Sequence, residues 1–299
     1  RNIPLVRWGD YLRSCHSKWE VAHIHLPNPL ALKALMASSI KKVATIHAYP
    51  HNHPILARFY QPIFSHQMGK IDRVVFTSET LKEAFIRRNL LWAKKSDVVN
   101  LGISDLEEDE QGNQCHNRLR VREILFVGRL VKYKGLPSLL RALCLLPKRI
   151  GLSVVGGGPE RKTWEGMTQS LGLGSRVTFH GELSHRDLIF AYQKCHIVAL
   201  PSLNEAEAFG LSLVEGLRSG KPLISPLVNT GILEVNLDKR TGLSFNVSKI
   251  EGLAAAISKL FHDQELYSKL SEQARLHYLE KFQRSKMIDE YERIYRSLL

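Results

Sequence analysis

Short apolar runs alternate with helical stretches from one end of the chain to the other, and this alternation restricts the fold more than any other feature. The first half carries four strand-length runs rich in β-branched residues: Val21–Leu26, Val43–His47, Arg73–Thr77 and Asp97–Leu101. Six more follow: Glu123–Val127, Gly151–Val155, Arg176–Phe179, His196–Leu200, Pro222–Ser225 and Gly242–Phe245. Several are almost continuously apolar, as parallel strands buried on both faces must be. Helix-start signals fall between them. Asn28-Pro29 reads as a cap followed by Pro, Ser78-Glu79 precedes LKEAFIRR, and Pro137 and Gly158-Pro159 open further helices. Ser184 with Asp187 resembles a capping box. The expected class is α/β, with parallel sheets and helices on both faces.

The rhythm breaks at residues 104–122, SDLEEDEQGNQCHNRLRVR, which are polar and lack apolar periodicity. A chain of 299 residues accommodates about two domains. The reading is therefore a domain over 1–105, a linker over 106–121 and a second domain over 122–299. Beyond residue 250 the spacing of Ile250, Leu253, Ala254, Ile257, Leu260 and Phe261 is helical. A hydrophobic content of 44% excludes whole-chain disorder. Four widely spaced cysteines, Cys15, Cys115, Cys144 and Cys195, form neither a disulfide scaffold nor a zinc site and read as reduced thiols. No apolar run reaches the ~18 residues of a membrane span.

The net charge of +13 is uneven. Residues 1–105 hold 15 Lys and Arg against 7 Asp and Glu. Such a surface suits a phosphorylated ligand or anionic headgroups, so peripheral attachment to an anionic membrane surface is a further expectation. Nucleic acid is not expected, because no zinc finger, RNP-like aromatic motif or dense basic tract accompanies the charge.

The segment PSLNEAEAFGLSLVEGLRSGKP, residues 201–222, carries the most chemistry. A strand ends near Leu200, a loop holds Glu205 and Glu207, and a helix starts near Gly210. A helix N-terminus presents free N–H groups and partial positive charge, which suits a diphosphate. Glu207 and Glu215 can face one site. Carboxylates repel phosphate, so both should accept hydrogen bonds from hydroxyls, as sugars and riboses supply. The alternative from spacing alone is a loop solvator and a surface helix residue. Glu205 is given no role. Val154–Glu160 (VVGGGPE) lacks the G-x-G-x-x-G spacing and the distal acid of a dinucleotide site. Seven of 13 histidines lie in residues 1–105. His47, at a strand C-terminus, stands where open α/β sheets place ligands. His23 and His25 read as strand-end residues, and His47, His51 and His53 match no common metal template.

The E-x7-E spacing of Glu207 and Glu215 resembles the signature of family 4 glycosyltransferases with the GT-B fold. GRLVKYKG at 128–135 is similar to that family's donor-phosphate segment, VVGGGPE to its glycine-rich turn, and VTFHGEL at 177–183 to the loop bordering the nucleotide base. The resemblance runs through almost all of 122–299 in order. It implies two Rossmann-like domains facing a cleft and retention of anomeric configuration. By this resemblance Arg129 and Lys134, beside Gly128, neutralise the donor diphosphate. Gly181 and Leu183 border the base, and N–H groups near Phe209, Gly210 and Leu211 hold donor oxygens. Glu215 binds ribose hydroxyls, Glu207 the transferred sugar, and His47 lies beside that sugar. Neither a cofactor nor a metal is expected.

HIHLPNPLA at 23–31 and TIHAYP at 45–50 are similar to a subgroup containing bacterial polysaccharide mannosyltransferases, although His47-Ala48-Tyr49 stands where that subgroup reads His-Ser-Asp. Asn229–Phe245 shares its flavour, with Thr230-Gly231 in place of a Gly pair. The donor is thus GDP-mannose or a UDP-hexose, and the acceptor a glycan or lipid-linked sugar. The opening strand and glycine-rich loop of the family are not matched, so the first domain is expected to be entered partway and truncated. A cytoplasmic location, peripheral at the inner membrane face, is expected. Other readings are a silent nucleotide-sugar-binding module, a sugar-nucleotide epimerase and a basic RNA-binding protein.

Overall fold

The computed structural model describes residues 19–26, 28, 32–33, 35, 39–48, 66–87, 90–106 and 122–299. The chain divides into two compact units, one of residues 1–101 with 285–299, the other of residues 102–284.

In the first unit, β1 (Val21–Leu26), β2 (Lys41–Ile46), β3 (Arg73–Phe76) and β4 (Ser96–Val98) form a parallel sheet in that order. Side chains alternate across a strand, so each strand feeds two cores. Ile24, Leu26, Ala44, Ile46, Val74 and Phe76 face Met68, Ile71, Leu81, Phe85 and Trp92. Leu81 and Phe85 belong to α1 (Glu79–Ile86), whose cap Ser78 accepts the Leu81 N–H at 3.2 Å. The other face, built on Val43, Val75 and Val99, is covered by Ile294, Met287, Tyr291, Tyr295 and Leu298. The last helix, from Arg284 to Arg296, thus packs on the first sheet. Asn28 accepts the Leu32 N–H through its carbonyl at 3.0 Å. Pro29, Tyr49, His51, His53, Cys15 and Cys115 lie outside the described residues, as does the expected linker apart from Leu106.

In the second unit, six strands are parallel: β5 (Arg122–Val127), β6 (Ile150–Val155), β7 (Val177–Gly181), β8 (Ile197–Ala199), β9 (Leu223–Pro226) and β10 (Gly242–Phe245). Their order, β10-β9-β8-β5-β6-β7, is that of a doubly wound Rossmann sheet. Central strands are buried on both faces, and Ile124, Leu125, Phe126, Ile197 and Val198 are wholly enclosed. Each such Leu or Ile contributes ~1.5–3 kcal/mol by leaving water. The helices are α2 (Leu136–Cys144), α3 (Arg161–Ser170), α4 (His185–Lys194), α5 (Leu211–Arg218), α6 (Ile232–Val235), α7 (Ile250–His262) and α8 (Gln264–Lys281), with α9 (Arg284–Arg296) the last helix of the chain. Ser184 caps α4 by accepting the Asp187 N–H at 3.2 Å and donating its hydroxyl to Asp187 Oδ2 at 2.7 Å.

Ser104 and Asp105, read as part of the polar break, are anchored within this unit. Arg275 holds Asp105 through both carboxylate oxygens, at 2.7 and 2.8 Å, and Arg218 donates to the Ser104 carbonyl. Cys144 and Cys195 are free thiols. Among the described residues no helix is long and apolar enough to cross a membrane.

Candidate active site

The order of the second sheet reverses direction between β5 and β8, and the crevice outside the carboxyl ends of such a pair is where open α/β sheets bind ligands. The loop after β5 carries Gly128, Arg129 and Lys134; the loop after β8 carries Ser202, Glu207 and Gly210. Backbone contacts lock the two loops together. Leu203 N–H donates to the Tyr133 carbonyl at 2.7 Å. Gly135 turns with φ +70, and a Cβ there would sit 1.9 Å from the Pro201 oxygen. Only glycine fits that approach.

This junction sets Lys134 against Glu207. Their ion pair measures 2.5 Å, and both side chains are about nine-tenths enclosed, at 12% and 10% exposure. Glu207 Oε2 also accepts from the buried Ser202 hydroxyl at 3.0 Å. Two donors on one oxygen leave Oε1 to face a ligand hydroxyl or developing positive charge. Glu207 is placed by its own short turn, since its N–H reaches the Asn204 carbonyl at 3.3 Å.

Gly210, φ +80, is the residue before α5. The amides of Leu211 and Ser212 start that helix and have no partner within it, so they form an anion-facing terminus. Phe209 is buried and meets the Phe282 ring edge-on at 6.0 Å. Its side chain therefore belongs to the core, and it can serve a donor only through its backbone. Leu211 is exposed. Glu215, one turn into α5, accepts the Tyr192 hydroxyl on Oε2 at 2.6 Å.

The glycine-rich turn after β6 closes on the β5 loop. Leu130 N–H donates to the Gly157 carbonyl at 2.8 Å and Glu160 N–H to the Leu130 carbonyl at 3.1 Å. A Cβ on Gly156 would meet the Gly128 oxygen at 2.2 Å. Gly156 N–H in turn donates to the Gly181 carbonyl at 2.7 Å. Gly128, Gly156 and Gly181 are thus knitted at the ends of three neighbouring strands, with half-buried Leu183 just beyond. Arg129 leaves this ridge as an exposed side chain.

His47 follows β2 in the first unit. Its Nε2 lies 2.8 Å from His25 Nδ1, so one nitrogen donates and the other accepts. Burial, then the neighbouring His25, hold His47 below its ordinary pKa of 6.5. His23 lies between the Tyr295 hydroxyl at 2.6 Å and Thr45 Oγ1 at 2.7 Å. Burial and the charges of His25 and His47 lower its pKa to about 4. Among the described residues no group of three or more His, Cys, Asp or Glu side chains could hold a metal ion.

The side chains that hold the two acids, Ser202 and Tyr192, escape a reading of sequence. Tyr192 shares a helix face with the buried Ile189, a spacing that looks like plain core. Ser202 stands directly after Pro201 at a strand end, which is the one local signal for it.

The second unit thus brings two carboxylates, a lysine and a helix N-terminus to the carboxyl ends of a Rossmann sheet. Comparison with known proteins shows the family. Residues 107–277 match the model of the glycosyl transferases group 1, and residues 4–105 that of Glycosyltransferase Family 4. The chain is 31% identical over 294 residues to O-antigen chain mannosyltransferase C of Escherichia coli, covering 94% of this chain and 76% of that one. It is 28% identical over 278 residues to D-rhamnosyltransferase WbpZ of Pseudomonas aeruginosa, covering 90% and 71%. In fold it matches Anabaena Alr3699/HepE in complex with UDP-glucose, with a TM-score of 0.82 at 18% identity over 99% of this chain and 84% of that one. It also matches sucrose-phosphate synthase from Thermosynechococcus elongatus, with a TM-score of 0.81 at 23% identity over 98% and 78%. The chain belongs to the group 1 and family 4 glycosyltransferases, enzymes of the GT-B fold.

Proposed function

We propose that this enzyme transfers a hexosyl group, mannose or a close relative, from a nucleotide diphosphate sugar to a glycan or lipid-linked acceptor during polysaccharide assembly, with retention of anomeric configuration. The observation that carries this reading is the meeting of Lys134, Glu207 and the α5 terminus at the β5/β8 switch point. The mannosyl and rhamnosyl relatives favour a mannose-like sugar. The neighbour holding UDP-glucose keeps UDP-hexoses in view.

In this reading Lys134 and Arg129 neutralise the diphosphate as the leaving group gains charge. Electrostatic help of that kind is commonly worth several kcal/mol. The amides at Gly210 and Leu211 hold phosphate oxygens, and Gly181 with Leu183 borders the base. Glu215 accepts from ribose hydroxyls. Glu207 presents Oε1 to the transferred sugar and stabilises positive charge on its ring, a role that does not require the double displacement of retaining glycosidases. In this reading no metal or cofactor takes part. Peripheral attachment to an anionic surface fits the basic residues 1–105. Co-flotation with anionic liposomes at physiological salt supports that attachment, and failure to co-float removes it.

A mass-spectrometric screen of GDP-mannose, UDP-glucose, UDP-galactose and UDP-GlcNAc tests the reading. One donor should be turned over, and Glu207→Ala should abolish that turnover. Nucleotide binding without turnover would leave a silent binding module instead.

A further inference from the structure

Tyr192 is wholly enclosed on α4 beside Ile189, yet its ring is not inert core. Its hydroxyl lies 2.6 Å from Glu215 Oε2 and 3.0 Å from the Ser212 carbonyl, in the first turn of α5. A phenol has one proton to donate. The charged acceptor at the shorter distance takes the larger share. Burial, reinforced by the Glu215 charge, holds the phenol well above its ordinary range, so it remains a donor at any working pH.

The consequence is geometric. A glutamate on a helix surface samples several rotamers, and a ligand that needs one of them must order the others away. Here a residue on another helix, 23 positions earlier, has already chosen. With Oε2 turned to the phenol, Oε1 is the oxygen offered to a ligand. The Ser212 contact ties the same phenol to the helix turn that carries the anion-facing amides.

We propose that Tyr192 is a positioning residue for nucleotide recognition: its hydroxyl fixes Glu215 so that Oε1 meets the ribose hydroxyls. The proposal rests on Glu215 holding the ribose, and the test separates the two claims. Tyr192→Phe keeps the ring and its packing and removes only the hydroxyl. Calorimetry on the full chain measures affinity for UDP or GDP, whichever wild type binds more tightly, and for its 2′,3′-dideoxy form. Wild type favours the ribonucleotide. Tyr192→Phe should lose roughly tenfold in ribonucleotide affinity, about the worth of one hydrogen bond to a charged group. Its affinity for the dideoxy form should stay unchanged, which also reports an intact fold. In a Glu215→Ala background Tyr192→Phe should no longer change the ratio of the two affinities.

An equal loss for both nucleotides, or no loss for either, overturns the positioning role. So does an unaltered effect of Tyr192→Phe in the Glu215→Ala background. If Glu215→Ala alone keeps the full preference for the ribonucleotide, Glu215 does not hold the ribose and the underlying reading falls first.

Discussion

Glu207 sits in a nearly closed place and gathers Lys134 and Ser202 onto one oxygen. Lys134 and Ser202 share Oε2. An enclosed carboxylate that loses a donor is left with an unpaid desolvation cost, typically ~1–3 kcal/mol. Ser202→Ala should therefore let the carboxylate swing, lowering kcat about tenfold while the donor KM moves much less. Steady-state kinetics with the accepted donor decides this. A risen KM with unchanged kcat would assign Ser202 to plain binding. At this scale the two acids stand out in the sequence by their spacing, Glu207 just before a helix start and Glu215 within that helix. Their partners do not. Tyr192 is linked to Glu215 only through the packing of two helices, and Phe209, expected at the donor, turns its ring into the core while its backbone stays at the site.

Elements were more legible than contacts. Every expected strand overlaps an observed one, with ends shifted by up to three residues. Apolar runs and β-branched residues carry that information locally. What they do not carry is the reason a turn must be glycine. Gly135 and Gly166 show the difference. Gly135 has φ +70 with Pro201 oxygen where a Cβ would go. Gly166 sits inside α3 with nothing within 4 Å of its Cβ position. Gly135→Ala should cost several kcal/mol by strain and by prying apart the β5 and β8 loops that hold Lys134 to Glu207. Gly166→Ala should instead stabilise by roughly 0.5–1 kcal/mol, the difference in helix propensity. Urea unfolding of both variants beside wild type tests the pair. Equal effects would show that the β5/β8 junction is slack.

The division of the whole molecule is less visible in sequence than its elements, because the first unit is assembled from two separate stretches of chain. Residues 285–299 follow the second unit in sequence but complete the first sheet's core through Ile294, Tyr291 and Tyr295. No local pattern reports a contact such as His23 to Tyr295, which spans 272 positions. The burial of His23 makes acid sensitivity unequal between the units. His23 has a folded pKa of about 4 against an ordinary 6.5, because burial and two nearby imidazoles disfavour its charged form. Between those values the unfolded chain binds more protons than the folded one, so stability is present above pH 6.5 and is lost as pH falls toward 4. Allowing for the solvent that reaches this ring, the loss is about 2 kcal/mol. His47, lowered by burial and by His25, adds to it in the same direction. In the second unit His277 pulls the same way, but Glu123 opposes it. Burial raises the Glu123 pKa, so its folded form gains protons as pH falls, and folding is favoured there. The first unit should therefore open before the second on mild acidification. Segment-resolved hydrogen exchange, corrected for intrinsic rate, should show protection falling first in β1, β2 and α9 between about pH 6.5 and 4.5. His23→Asn should be less stable at neutral pH and lose less on acidification, since the titrating ring is gone. If wild type and His23→Asn lose protection with the same slope, the imidazole beneath α9 is not what makes the first unit acid-sensitive.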